Sequence, residues 1–175
     1  TQKFRTLGSS SVAHLPMWVA TAPDIQQPGN PDPILAASSR VKACIAYAGP
    51  SDLTDQYYVN ETVGYATSAV WQFVGVTTQE EWDALPQATK DYMSPRELAL
   101  DPANLSVNAG LSYLGIFPGS QVITSQDQVN YPTGDIHHIV HGLAFRDALK
   151  AIGSKEAIVW NSYKTYDSVT GLLAN

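Results

Sequence analysis

One cysteine, two methionines and ten lysines and arginines in 175 residues set the first exclusions. Cys44 has no partner in the chain, so no internal disulfide staples the fold; its place in the apolar run Val41-Lys42-Ala43-Cys44-Ile45-Ala46-Tyr47-Ala48 reads as a buried thiol. Cations are scattered and outnumbered by sixteen acids, giving a net charge of −6 and a pI near 5.0. Phosphate binding needs clustered Lys and Arg, so a nucleic-acid partner is not expected. No apolar run approaches the roughly 20 residues of a membrane span, and no charged stretch followed by an apolar one opens the chain. The expectation is a chain without a membrane span, either mature or truncated.

With 44% hydrophobic residues, the chain has enough apolar surface for one sizeable core, and residues 1–175 read as a single domain without internal repeats. Strand-like and helix-like stretches alternate, the pattern of a parallel sheet with helical crossovers, and α/β is the expected fold class. Phe4 to Leu7 reads as a strand, the following Gly/Ser stretch as a turn, and Val12 to Ala22 as a helix that Pro16 should strain by removing a donor. Asp24 to Pro33 is loop chemistry. Val41 to Ala48, apolar nearly throughout, reads as a strand buried on both faces and closed by Gly49-Pro50-Ser51-Asp52-Leu53.

Ala66 to Leu85 is helix-like, with a second start at Thr77-Thr78-Gln79-Glu80-Glu81 that resembles a capping box, and residues 57–95 together read as a helical cap. Leu111 to Phe117 is a further strand. The polar stretch from Ser120 to Gly134 is longer than most connections and leads to Asp135. Phe145, Ala148, Leu149 and Ile152 fall at i, i+3, i+4 and i+7, which places them on one helix face, with Gly153 as the left-handed stop. Ala157 to Trp160 is the last strand.

Several of these features stand in the order found in one known family. Gly8-Ser9-Ser10-Ser11-Val12-Ala13-His14-Leu15 is similar to the strand-turn-helix elbow Gly-x-Ser-x-Gly, often continued by His-Leu, of α/β-hydrolases. Gly49-Pro50-Ser51-Asp52-Leu53, Ser94-Pro95, and Gly134-Asp135 ahead of Arg146-Asp147-Ala148-Leu149 resemble later family features in the same sequence. The chain thus resembles the C-terminal half of an α/β-hydrolase, of the branch that includes feruloyl esterases and carboxylesterases.

The resemblance implies Ser10 as nucleophile, Asp135 as the acid of a catalytic triad, and the backbone N–H of Ser11 as one oxyanion donor, with no cofactor. A serine hydroxyl attacks a carbonyl only when an imidazole takes its proton and an acid orients that imidazole. The implied substrate is a small carboxylic ester, and an amide is the alternative by likeness to prolyl-oligopeptidase-type enzymes. Three departures accompany it. Val12 replaces the second elbow glycine, no histidine follows His141, and the strands that precede the elbow in the family have no counterpart. A second chain supplying those strands is one expectation, and a catalytically inert binding or assembly subunit is the other.

The remaining residues have quieter readings. Ser10 and Asp135 would each serve as an ordinary helix cap, and Asp127 is a lesser candidate for the acid. His137 and His141 share a helical spacing, but no Glu or Cys joins them, so no metal is expected. Trp18, Trp71, Phe73, Trp82 and Trp160 fit core faces better than a stacking platform for a substrate. Asn60-Glu61-Thr62 and Asn104-Leu105-Ser106 are glycosylation sequons, which with the low charge suggest a secreted protein carrying glycans at Asn60 and Asn104.

Overall fold

Parallel strand pairing organises the molecule. The computed structural model describes residues 4–54, 75–117 and 139–161, and within them β1 (Arg5–Ser9), β2 (Ala43–Tyr47), β3 (Ser112–Phe117) and β4 (Ala157–Asn161) lie side by side in that order. Leu7 stands opposite Ile45, Ile45 opposite Leu114 and Leu114 opposite Ile158, every pair parallel. Parallel neighbours must be joined by crossovers, which makes this an α/β fold.

The described helices are α1 (Ser11–Thr21), α2 (Pro33–Ala36), α3 (Gln79–Ala84), α4 (Gln87–Met93), α5 (Pro95–Leu100), α6 (Leu105–Asn108) and α7 (Ile139–Ala151). Their ends follow local chemistry. Thr78 caps α3 through the reciprocal box with Glu81, the arrangement its sequence suggests. Proline occupies the first position of α2 and α5, where its missing N–H costs nothing. Gly153, at φ 100, turns the chain after α7 in a conformation other residues resist.

Pro16 does not end α1, which runs on to Thr21. Its ring leaves the Val12 carbonyl without the usual donor four residues on. That carbonyl faces β1 at Gly8, where an added Cβ would lie 2.2 Å from the oxygen, so glycine is what lets helix and strand approach there.

Right-handed crossovers that advance in one direction along a sheet all land on the same face. Accordingly α1, α5 and α7 form one layer, α5 touching both of the others. Ala13 and Met17 of α1, Ala99 of α5 and Leu143, Phe145 and Leu149 of α7 share a core with Cys44, Ala46, Tyr113, Phe117, Ala157 and Val159. Fit is tight: the Tyr113 and Phe145 rings meet edge to face at 4.8 Å, and a Cβ on Gly142 would sit 2.2 Å from the Phe117 ring.

The other face is different. Strand β2 was expected to be buried on both sides, and the structure corrects this: Cys44 and Ala46 are buried, Ile45 is half-buried and Tyr47 is exposed. The same alternation continues in β3, where Leu114 and Ile116 are half-buried, and in β4, where Ile158 and Trp160 are exposed. No described helix lies over these side chains.

The described part of the 57–95 segment is helical and is tied to α1, where the Trp18 indole donates to the Tyr92 carbonyl at 2.8 Å. Trp82 is fully buried with the Lys90 ammonium 5.1 Å above its ring, which makes it a local core residue. Among the described residues no helix is long and apolar enough to cross a membrane.

Candidate active site

Strand β1 runs into α1 through a single residue, and that residue is strained. Ser10 has φ 55 and ψ −130, a conformation that side-chain-bearing residues avoid at a cost of about 1–3 kcal/mol. Its N–H donates to the Tyr47 carbonyl at 2.8 Å, and its carbonyl accepts from the Ala13 N–H at 2.9 Å as α1 begins. Strand hydrogen bonding holds one side of the residue and the first helical turn holds the other. Ser10 therefore stands at the carboxyl end of a parallel sheet, where α/β folds bind ligands.

The N–H of Ser11 belongs to the first turn of α1, where the helix offers no internal acceptor and its dipole favours negative charge. That is the chemistry of an oxyanion donor. Val12, which replaces a glycine of the elbow pattern, is 58% exposed. The close approach of strand and helix falls on Gly8, so the valine is accommodated.

Beside the elbow, β2 ends at Ala48, which has φ 51 and donates its N–H to the Ile116 carbonyl at 2.8 Å. Ser9 is paired with Tyr47, so two strained residues follow neighbouring strands at the same level. The chain then enters the Gly49-Pro50-Ser51-Asp52-Leu53 turn, which gathers three helices. The ring of His14 lies 3.0 Å from the Pro50 carbonyl; the Ser51 hydroxyl donates to the His141 carbonyl at 2.6 Å; the Arg96 N–H donates to the Ser51 carbonyl at 2.9 Å. Leu53 N–H donates to the Ser94 hydroxyl, which itself donates to the Lys90 carbonyl. The resemblance marks the turn and Ser94-Pro95 as separate features; the fold brings Ser94 and the His141 carbonyl together at the turn.

Asp52 lies at its centre, with no solvent exposure. Burial pushes its carboxyl up to about 6, against the opposing pull of the Thr54 hydroxyl and N–H and of Arg96 at 3.4 Å; Glu97 adds a smaller push upward. The guanidinium does not make up for lost hydration. His14 is shifted the other way, down from the usual imidazole range, because burial penalises its charge more than the carbonyls of Pro50 and Met93 favour it. A ring turned to the Pro50 carbonyl ties α1 to this turn.

Asp135, Asp127, His137, His138, Asn60, Trp71 and Phe73 lie outside the described residues. Asp135 belongs to the connection between β3 and α7, and β3 runs parallel to β1, so that connection leaves the sheet at the end where Ser10 stands. His141 is described and is 2% exposed. Asn104 is also inside: it is 5% exposed, its carbonyl oxygen accepts from Arg40 at 2.8 Å and its amide nitrogen donates to Asp101 at 3.1 Å. An amide so placed has no room for a glycan, which runs against the sequon reading at that position.

A concavity of about 400 Å³ lies elsewhere, between α4 and α5, with Asp91, Tyr92, Glu97 and Asp101 on its walls. None of its lining residues belongs to the elbow. Among the described residues no group of three or more His, Cys, Asp or Glu side chains is arranged to hold a metal.

No protein-family model and no curated protein sequence matches the chain. In structure it is similar to an acetyl ester-xyloside bifunctional hydrolase from Caldicellulosiruptor lactoaceticus, with a TM-score of 0.56 and 15% sequence identity. The match covers 89% of this chain and 43% of that one, so the chain spans less than half the length of its neighbour. The likeness is one of fold alone.

Proposed function

We propose that the protein is a carboxylic-ester hydrolase of the α/β-hydrolase fold, with Ser10 as nucleophile. The observation that carries the reading is the backbone of Ser10: a serine in a costly conformation, between a parallel strand and a helix N-terminus. The ester chemistry of the fold neighbour favours an ester over an amide.

In this reading the Ser10 hydroxyl oxygen attacks the ester carbonyl as a histidine takes its proton. The carbonyl oxygen becomes an anion facing the Ser11 N–H. Collapse expels the alcohol, which takes up that proton, and water then releases the acid from the acyl-serine by the same route. Asp135 orients the base. The base comes from His137, His138 or His141, close to Asp135 in sequence, or from a second chain. No cofactor is needed. A second chain supplies strands beside β1 and the second oxyanion donor, and the protein is secreted, with Asn60 its glycosylated sequon.

The test is covalent labelling with a fluorophosphonate, read by intact mass and peptide mapping. The expected result is one adduct at Ser10 that Ser10→Ala abolishes, together with loss of ester hydrolysis. Hydrolysis surviving in Ser10→Ala ends the proposal. No adduct in the assembled protein favours instead an inert binding or assembly subunit.

A further inference from the structure

The first turn of α1 carries the Ser11 N–H, and contacts on two sides fix where that turn lies. Toward β1, the glycine at position 8 lets the Val12 carbonyl come close. Toward β2, a Cβ on Gly49 would lie 2.6 Å from the Ala13 Cβ and 3.1 Å from the Ala13 carbonyl carbon, so the turn after β2 is seated on the same part of the helix. Both are contacts of shape. They set how near α1 approaches, and an N–H that must be aimed needs ties with direction as well.

Direction comes from two hydrogen bonds to one short segment. The Tyr47 carbonyl accepts from the Ser10 N–H at 2.8 Å, and the Pro50 carbonyl lies 3.0 Å from Nδ1 of His14. A carbonyl oxygen only accepts, so Nδ1 carries the proton of that bond. Ser10 and His14 stand one helical turn apart. Residues 47–50 therefore grip the elbow at its entrance and again a turn into α1, with Ser11 between the two points. The segment is itself braced: Ala48 donates its N–H to the Ile116 carbonyl, the Ser51 hydroxyl donates to α7 at His141, and the Ser51 carbonyl accepts from α5 at Arg96. His14 is 4% exposed, and its ring also meets the Met93 carbonyl at the end of α4, which leaves the side chain little freedom.

The geometry points to His14 as a positioning residue for the reaction at Ser10: through the Pro50 carbonyl it holds the first turn of α1 so that the Ser11 N–H faces the oxyanion of the transition state. It touches no reacting atom. An oxyanion donor must lie about 2.7–3.1 Å from the developing charge, and a misplacement of about 1 Å costs roughly a hundredfold in rate. The inference rests on the hydrolase reading and deepens it, by naming the side chain that aims one donor.

Leucine and asparagine are close in size and both are smaller than histidine, but only asparagine offers an N–H near the place of Nδ1. His14→Leu and His14→Asn are compared in the assembled protein, with para-nitrophenyl acetate as substrate and a trifluoromethyl ketone as inhibitor, since a serine nucleophile converts such a ketone to a tetrahedral oxyanion. The expected result for His14→Leu is a kcat lower by roughly ten- to a hundredfold with KM within about twofold of the parent's, and a loss of ketone affinity of similar size. His14→Asn should recover most of both. Equal losses in the two variants would overturn the proposal, since bulk alone would then explain them. So would an unchanged kcat in His14→Leu, or a loss of kcat with ketone affinity intact. Should the variants misfold, imidazole nitrogen NMR on the parent decides: a proton on Nδ1 of His14 supports the role and a bare Nδ1 overturns it. Fluorophosphonate labelling of the parent keeps the two readings apart. An adduct at Ser10 with kcat unmoved by His14→Leu removes only the positioning role; no adduct removes the hydrolase, and this role with it.

Discussion

Comparing Ser10→Gly with Ser10→Ala isolates the backbone strain at the elbow. Both variants lose the hydroxyl; only alanine keeps a Cβ at φ 55 and ψ −130. Holding a side-chain-bearing residue there costs about 1–3 kcal/mol. Glycine relieves that cost and loses part of the gain, roughly 0.5–1 kcal/mol, to its looser unfolded chain. The glycine variant should therefore be the more stable by about 0.5–2 kcal/mol, which for a chain of this size raises the melting temperature by roughly 1–8 °C. Urea titration followed by circular dichroism measures the difference, and an unchanged slope for both variants establishes that the same surface is exposed on unfolding. If glycine is no more stable than alanine, the residue is not strained, and the observation that singles out Ser10 is lost. A stable but inert Ser10→Gly is the expected signature of a site that trades stability for function.

Three further perturbations test other parts of the argument. Gly8→Ala should destabilise the protein by roughly 1–3 kcal/mol or prevent folding, because the new Cβ meets the Val12 carbonyl at 2.2 Å and the Pro16 ring at 2.9 Å; a neutral substitution would refute the close approach of β1 and α1. For Asp52 the folded carboxyl lies near 6 against an ordinary 3.8, so its protonation favours the folded state: that contribution is complete below about pH 4, disappears as pH rises through about 6, and amounts to no more than about 3 kcal/mol. Asp52→Asn should flatten the stability profile between pH 4 and 6, and a profile identical to the parent's would show the carboxyl to be hydrated. Asp24 has the opposite sign: burial alone would raise its carboxyl, but the Ser38 hydroxyl and the N–H groups of Ser39 and Gln26, with the Ser39 hydroxyl, hold it down to about 2. Its contribution to the 24–39 loop is present above about pH 4 and is lost as pH falls through about 2, so in Asp24→Ala amide exchange at Gln26 and Ser39 should be fast already at pH 6.

What the sequence discloses and what it hides divide along physical lines. Periodicity discloses α7, because Phe145, Ala148 and Leu149 face one core and a 3.6-residue repeat is a local signal. The Thr78 box and the Gly153 stop are local in the same sense. The apolar run of β2 locates a strand but not its surroundings: side chains that will be covered by another element and side chains left bare are written with the same residues, so Ile45 and Tyr47 read as core. Asn104 reads as a sugar acceptor because a tripeptide carries no record of Arg40, distant in the chain, folding over it. The elbow is legible as Gly-x-Ser, yet the burden on Gly8 and the tolerance of Val12 depend on how α1 leans on β1. The hub at Asp52 is local only in the Thr54 bonds; the rest joins groups far apart in the chain, up to ninety residues where the Ser51 hydroxyl meets the His141 carbonyl.

The strain at Ser10 and the bare edge of β1 are one mechanical problem. A disfavoured backbone conformation persists only where its surroundings over-determine it. The ties on Ser10 include the Tyr47 carbonyl on the inner side and the first turn of α1, while on its outer edge β1 pairs with no strand among the described residues. In the chain alone the elbow should therefore open locally more often than the rest of the sheet, and a strand added to β1 should close it. Amide exchange reads this directly. The Ser10 N–H, bonded to the Tyr47 carbonyl, should exchange faster than the Ala48 N–H, bonded to Ile116 one strand further in, and the difference should vanish in the complemented protein. Labelling of Ser10 would rise with complementation for two reasons, a longer-lived elbow and a second oxyanion donor. The exchange measurement separates them, since only the first changes the protection of an amide. Equal exchange at Ser10 and Ala48 in the chain alone would mean that β2 and α1 hold the elbow by themselves, and the complement would then contribute chemistry without rigidity.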